Sequence, residues 1–123
     1  TAHIDDTLAR ISAHEDIVRG VSLNPGTAVS FIKNYLDQID YVLLLGVGPY
    51  SGKELFLDDL PAKIEALLAL KPDLLICIDG GVNKDTIAQI AAMKPHFVVS
   101  GSAIFNNEDP VENLRFFNDT LAS

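Results

Sequence analysis

Four short segments of this sequence read as buried strands, and each is followed by apolar residues at helical spacing. That alternation limits the fold more than any other feature. Val21-Ser22-Leu23 is closed by the turn signal Asn24-Pro25-Gly26, after which Val29, Ile32, Leu36 and Ile39 recur as on one face of a helix. Tyr41 to Val47 is a continuous apolar strand, and beyond a glycine-rich turn Leu60, Ile64, Leu67 and Leu68 form the stripe of a helix running to Leu70. Leu74-Leu75-Ile76-Cys77-Ile78 is a third strand, with Ile87, Ile90 and Ala91 on the helix after it. His96 precedes the fourth, Phe97-Val98-Val99, and Val111, Leu114, Phe117 and Leu121 mark a last helix. Ahead of these units, Ile4 to Arg19 reads as a surface helix with Leu8, Ile11 and Val18 as its apolar positions. Asp5 and Asp6 lie near the positive end of its dipole, and Gly20 ends it.

Strands of this kind, each followed by a helix, belong to a parallel sheet covered on its faces by helices. Two closures satisfy the pattern: an open doubly wound sheet, or half of an eight-stranded α/β barrel. The 123 residues, 48% hydrophobic, suffice for one domain with a core but fall well short of a complete barrel, which needs roughly 250. The sequence begins at Thr1 with what reads as a strand end followed at once by a helix, so a piece of a larger fold is expected.

Seventeen acidic residues against nine Lys and Arg give a formal charge of −8, which disfavours binding to nucleic acid or to an anionic membrane surface. An anionic ligand must then be held locally. Cys77 is the single cysteine and forms no internal disulfide, which fits a reducing cytoplasm. Apolar runs such as Tyr41 to Leu45 are far shorter than the roughly 20 residues of a membrane helix, and no signal peptide is visible.

Every strand ends, at its C-terminal edge, in polar or glycine-rich sequence. Asn24-Pro25-Gly26-Thr27 follows the first, Gly46-Val47-Gly48-Pro49-Tyr50-Ser51-Gly52 the second, Asp79-Gly80-Gly81-Val82-Asn83 the third and Ser100-Gly101-Ser102-Ala103 the fourth. Barrel active sites are built at that edge. Glycines let backbone approach a ligand closely, and N–H groups at the start of a following helix bind phosphate oxygens without a basic side chain. A lone Gly-Gly is most often a turn. Gly101-Ser102, twenty positions after Gly81, strengthens the phosphate reading, because the last two loops of barrels recurrently form a phosphate site. Asp79 closes an apolar strand, where a carboxylate either caps the next turn or transfers protons or binds a metal; position alone leaves both open. Cys77, without a basic neighbour in sequence, reads as a small core residue rather than a nucleophile. His14 reads as a solvated helix residue, His96 as a loop residue, and His3 as the end of a preceding strand.

The segments Val21-Ser-Leu-Asn-Pro-Gly-Thr27, Ile78-Asp-Gly-Gly-Val-Asn83 and Val99-Ser-Gly-Ser-Ala-Ile-Phe105 together resemble the strand-five, strand-seven and strand-eight segments of ribulose-phosphate 3-epimerases, in the same order and spacing. The resemblance covers essentially the whole chain. It implies that residues 1–123 form one segment, the end of strand four plus β/α units five to eight of a TIM (β/α)8 barrel of the ribulose-phosphate-binding type, with the N-terminal half absent. His3 then ends strand four. In that family two aspartates on opposite faces of a ketose 5-phosphate move the C3 proton through an enediolate, interconverting ribulose and xylulose 5-phosphates in cytoplasmic carbohydrate metabolism. A divalent metal such as zinc or iron stabilises the enediolate. By resemblance Asp79 is the strand-seven aspartate, both general acid and metal ligand, while the partner aspartate and the metal-binding histidines belong to the absent strands. Gly80, Gly81, Gly101 and Ser102 match phosphate-contacting positions. The isolated chain is accordingly expected to be inactive.

One segment departs from the family. After strand six the family reads Asn-Pro-Gly-Phe-Gly-Gly-Gln, and this chain reads Gly48-Pro-Tyr-Ser-Gly-Lys-Glu54, keeping Pro49 and Gly52. Ser51, Gly52 and Lys53 are candidate substrate contacts, with Lys53 placed to supply a phosphate contact in place of the lost glycine. A different ketose phosphate, a non-catalytic phosphosugar-binding relative, and another phosphate-binding barrel such as an isomerase or decarboxylase are the alternatives. Half a barrel leaves two open sheet edges, so pairing with the N-terminal half or self-association into a homo-oligomer is expected.

Overall fold

The computed structural model describes residues 3–48 and 55–122. Helix α1 (Ile4–Ser12) leads into strand β1 (Gly20–Leu23), two short 3-10 turns (Val29–Phe31 and Lys33–Gln38) and strand β2 (Tyr41–Leu45). Helix α2 (Leu60–Leu70), strand β3 (Leu75–Asp79), helix α3 (Ile87–Ala92), strand β4 (Phe97–Val99) and helix α4 (Pro110–Ala122) complete the order. The four strands form one parallel sheet in sequence order, β1-β2-β3-β4.

Which face each strand residue uses follows from the register. Leu23, Leu44, Ile78 and Val98 lie side by side, as do Val21, Val42 and Ile76. These rows pack into a single core with Leu8 of α1, Ile64 and Leu67 of α2, Ile87 and Ile90 of α3 and Phe117 of α4. All four helices therefore cover one face of the sheet. The opposite rows, Ser22-Leu43-Cys77-Phe97 and Leu45-Asp79-Val99, are outside that core, and Phe97 and Val99 are exposed. Single-sided cover is the architecture of a partial α/β barrel, whose second face is its interior; a doubly wound sheet carries helices on both. Of the two closures that the alternation allows, the half barrel is the one observed.

Three elements differ from what the sequence periodicity suggests. The first helix stops at Ser12 instead of running to Arg19, because Arg19 is engaged by β2. Its N–H bonds to the Asp40 carboxylate at 2.8 Å, and its carbonyl takes the N–H groups of Asp40 and Tyr41 at 2.7 and 3.2 Å. The stretch from Val29 to Ile39 forms 3-10 turns rather than an α-helix, although Ile32 and Ile39 are fully buried as the spacing implies. Two lysines, Lys63 in α2 and Lys71 just past its end, hold carbonyls of this connection. Lys63 Nζ donates to the carbonyls of Pro25, Thr27 and Asn24 at 2.6, 3.1 and 3.3 Å, and Lys71 Nζ to those of Ile39 and Leu36 at 2.7 and 3.0 Å. Finally, Val111, Leu114 and Leu121 of α4 are exposed, and the buried positions of that helix are Phe117 and Asn113.

His96 is more than a loop residue. Its N–H donates to the Ile76 carbonyl and its Nδ1 accepts the Ile76 N–H, both at 2.9 Å, so an imidazole completes the ladder at the start of β4.

Candidate functional site

Parallel register brings the C-terminal ends of the strands to one edge, and the chemistry-bearing residues collect there. Asp79 is the last residue of β3, flanked across the sheet by Leu45 and Val99, and it lies on the face without helices. Its partial burial leaves the carboxylate accessible from that face. Cys77 sits two residues earlier on the same face, between Leu43 and Phe97. Burial, and then the Asp79 carboxylate, push its thiol above the ordinary cysteine range. Such a thiol is a poor nucleophile. Cys77 is buried as expected, though against the inner face and not within the helix-side core.

Gly80 and Gly81 leave β3 with φ of +85° and +75°, a region open to glycine and costly for other residues. Space is short as well. A Cβ at Gly80 would stand 2.6 Å from Cγ2 of Val47, and one at Gly81 2.7 Å from Cδ2 of Leu55. A Cβ at Gly46 would meet the Gly80 carbonyl at 2.5 Å. The loops after β2 and β3 are thus fitted against each other through glycine, and the Gly46 N–H bonds to the Asp79 carbonyl at 2.8 Å. Val47 and Leu55 pair as an antiparallel bridge. Ser51, Gly52 and Lys53 lie outside the described residues.

Gly101 is different. Its φ is not in the left-handed region, and a Cβ there would meet nothing within 4 Å. Neither backbone strain nor packing calls for glycine. Gly101 and Ser102 are exposed and open a single helical turn, in which the Gly101 carbonyl accepts the N–H groups of Ile104 and Phe105, each at 3.0 Å. The long helices start later, α3 at Ile87 and α4 at Pro110. The amides of this edge belong to these loops and to the helical turns that open at Asn83 and Gly101. Among the described residues nothing accepts the N–H groups of Gly81, Val82, Gly101 or Ser102. The two loops are also tied together, since Ser100 Oγ donates to the Val82 carbonyl at 3.0 Å.

Several polar side chains behind this edge carry no signal that sequence reasoning used. Thr86 is buried, and its hydroxyl donates to the Gly81 carbonyl and accepts the Asn83 N–H. Asn83 returns the contact by accepting the N–H groups of Asp85 and Thr86 at 2.8 and 3.0 Å. Asn113, 1% exposed, donates to the Ile104 carbonyl and to Asn106 Oδ1. The reciprocal Asn-x-x-Thr spacing of Asn83 and Thr86 is a helix-start pattern that could have revealed the first of these. Lys84, the basic residue beside the loops, is paired with Glu108 at 3.1 Å, and that pairing holds the Glu108 carboxyl below its usual range.

Among the described residues no group of three or more His, Cys, Asp and Glu is arranged to hold a metal ion. Asp79 fits one ligand position, and the residues present do not fit a metal centre by themselves. His3 is exposed at the start of α1. A cavity of about 550 Å3 opens at the N-terminal ends of the strands, beside Arg19 and Asp40. Those two groups are paired with each other, Nε to Oδ2 at 3.5 Å, and His14, Glu15 and Asp16 also line the cavity. Among the described residues no helix is long and apolar enough to cross a membrane.

Comparison with known proteins gives a consistent result. A family profile described as "Ribulose-phosphate 3 epimerase family" matches residues 1–105. A ribulose-phosphate 3-epimerase of Bacillus subtilis is 35% identical over 112 residues, which cover 87% of this chain and 51% of that protein. One from Buchnera aphidicola subsp. Baizongia pistaciae is 34% identical over 125 residues, covering 98% and 54%, and one from Serratia marcescens 35% over 111 residues, covering 87% and 52%. The chain spans about half the length of the curated relatives it matches.

Proposed function

The chain belongs to the ribulose-phosphate 3-epimerase family, and from that membership we propose that it is the β/α five-to-eight segment of an enzyme that epimerises a ketose 5-phosphate at C3. The observation that carries the reading is the conjunction, at one sheet edge, of the Asp79 carboxylate with two glycine loops in which the N–H groups of Gly81, Val82, Gly101 and Ser102 have no acceptor among the described residues.

Epimerisation inverts one carbon, so the proton must leave from one side and return from the other, and two acid/base groups facing each other across the substrate are needed. Asp79 supplies one of them. Its position on the open inner face puts it beside whatever lies within the completed barrel. The second group, and the other ligands of any divalent metal that stabilises the enediolate, have to come from outside this chain; Asp79 is its one candidate ligand. Gly80, Gly81, Gly101 and Ser102 would anchor the phosphate through neutral N–H groups, which suits a protein of charge −8. Gly101 supports this most directly, since nothing in the fold asks for glycine there. Cytoplasmic location and a role in carbohydrate metabolism follow from this reading.

The test is Asp79→Asn in the complete protein. Turnover should fall by about 10^2- to 10^4-fold, as expected when a proton-transfer group is removed, while inorganic phosphate continues to compete at an affinity within about twofold of wild type. Unchanged turnover would remove Asp79 from the mechanism. One observation favours a second reading on specificity: the Gly48–Glu54 segment replaces an amide by Glu54 and a glycine by Lys53. Turnover of a six-carbon ketose phosphate in preference to the pentulose would establish it.

A further inference from the structure

A backbone phosphate site has an internal difficulty. Each peptide that offers an N–H also carries a carbonyl, whose negative end repels an anion. In a trans peptide the two point in opposite directions, and no cis peptide bond occurs among the described residues. Whatever fixes the carbonyl therefore fixes the direction of the N–H in the same peptide unit. In the loop after β3 the carbonyls of Gly81 and Val82 are both held by hydroxyls, the first by Thr86 and the second by Ser100. The Val82 N–H, in the same unit as the Gly81 carbonyl, has no acceptor among the described residues.

We propose that Thr86 is a positioning residue for substrate binding, fixing the Gly81–Val82 peptide so that its carbonyl turns inward and its N–H outward to the phosphate. The assignment rests on the phosphate reading of this edge given above. Three observations support it. Thr86 is one of two buried polar residues among the described ones, the other being Asn113. Its hydroxyl is used in both senses, since the Gly81 carbonyl takes its proton while the Asn83 N–H occupies a lone pair at 3.0 Å. A hydroxyl so engaged cannot rotate without losing one partner. Gly81, at φ +75°, is the flexible residue most in need of such a restraint. Ser100 holds the next carbonyl from β4, so that one loop is pinned from both sides. Valine at position 86 keeps the shape and removes both hydrogen bonds; serine keeps the bonds.

The experiment compares wild type, Thr86→Val, Thr86→Ser and Ser100→Ala in the complete protein. KM and kcat for the ketose 5-phosphate are measured together with the inhibition constant of inorganic phosphate. Thr86→Val should raise KM and the phosphate inhibition constant about tenfold, the factor one such hydrogen bond is worth, with kcat within about threefold of wild type. Thr86→Ser should restore both constants, and Ser100→Ala should raise the phosphate constant at least about threefold. If Thr86→Val does not fold, Thr86→Ala takes its place with the same expectation, and an unchanged phosphate constant in that variant overturns the proposal. Equal phosphate constants in wild type and Thr86→Val also overturn it while leaving the phosphate reading intact. Failure of phosphate to compete in wild type overturns both.

Discussion

Glycine has two distinct uses at this edge, and they separate by substitution. At Gly80 the backbone lies at φ +85° and a Cβ would press on Cγ2 of Val47, a β-branched side chain that cannot swing away freely. Gly80→Ala should cost about 2–4 kcal/mol, the sum of a left-handed backbone penalty and local overpacking. At Gly101 neither term exists, and Gly101→Ala should stay within about 0.5 kcal/mol of wild type. Urea unfolding of the complete protein measures both; equal losses would show that the two glycines serve the fold alike. In the sequence the two look the same, each a glycine just past a strand. Asp79 and the glycine pairs were legible because they interrupt apolar runs at strand ends. Thr86, Ser100 and Asn113 were not, because a polar residue on a helix or in a turn looks solvated until the packing around it is known.

At the level of elements, the apolar runs of β2, β3 and β4 and the stripe of α2 could be read directly, with α2 running from Leu60 to Leu70 as expected. The stretch from Val29 to Ile39 was misread because its buried residues recur at a spacing that α and 3-10 turns share. Distant donors hold the carbonyls at its two ends: Lys63 those of Asn24, Pro25 and Thr27 before it, and Lys71 those of Leu36 and Ile39 at its close. Burial of the Lys63 ammonium among these carbonyls lowers its pKa, against an opposing pull from Asp59. The Arg19–Asp40 pairing has a pH signature. Asp40 is held below the ordinary carboxylate range chiefly by the Arg19 N–H, with desolvation opposing. A carboxylate depressed in the folded state contributes stability above its unfolded value, about 4, and loses it as pH falls through the folded value. Asp40→Asn should therefore be less stable than wild type at pH 7, with the gap closing toward pH 3. Urea midpoints at the two pH values test this, and a gap that does not change with pH would exclude the assignment.

For the whole molecule, the decisive fact is that every helix packs on one face. The inner face presents Phe97 at 55% and Val99 at 44% exposure, and β1 and β4 end the sheet. Open edges and an apolar face seek cover. The isolated chain should therefore self-associate, eluting above its 13.3 kDa mass on size exclusion with light scattering. Adding residues that complete the barrel should replace that association by a single compact species. A well-behaved monomer of the isolated chain would count against the barrel interior being its natural environment. The alternation of strands and helices made a parallel sheet legible but fits a barrel and a doubly wound sheet alike; the barrel was read from the three strand-end segments, and the family match bears that reading out.

The close fit of Gly46 against the Gly80 carbonyl reaches beyond stability. The loops after β2 and β3 cannot be inherited separately: a loop transplanted after β2 with any side chain at position 46 displaces the peptide next to Asp79. Chimaeras that borrow one loop from a relative will fail where chimaeras that borrow both succeed. New specificity in this scaffold that touches position 46 has to be acquired in pairs of loops.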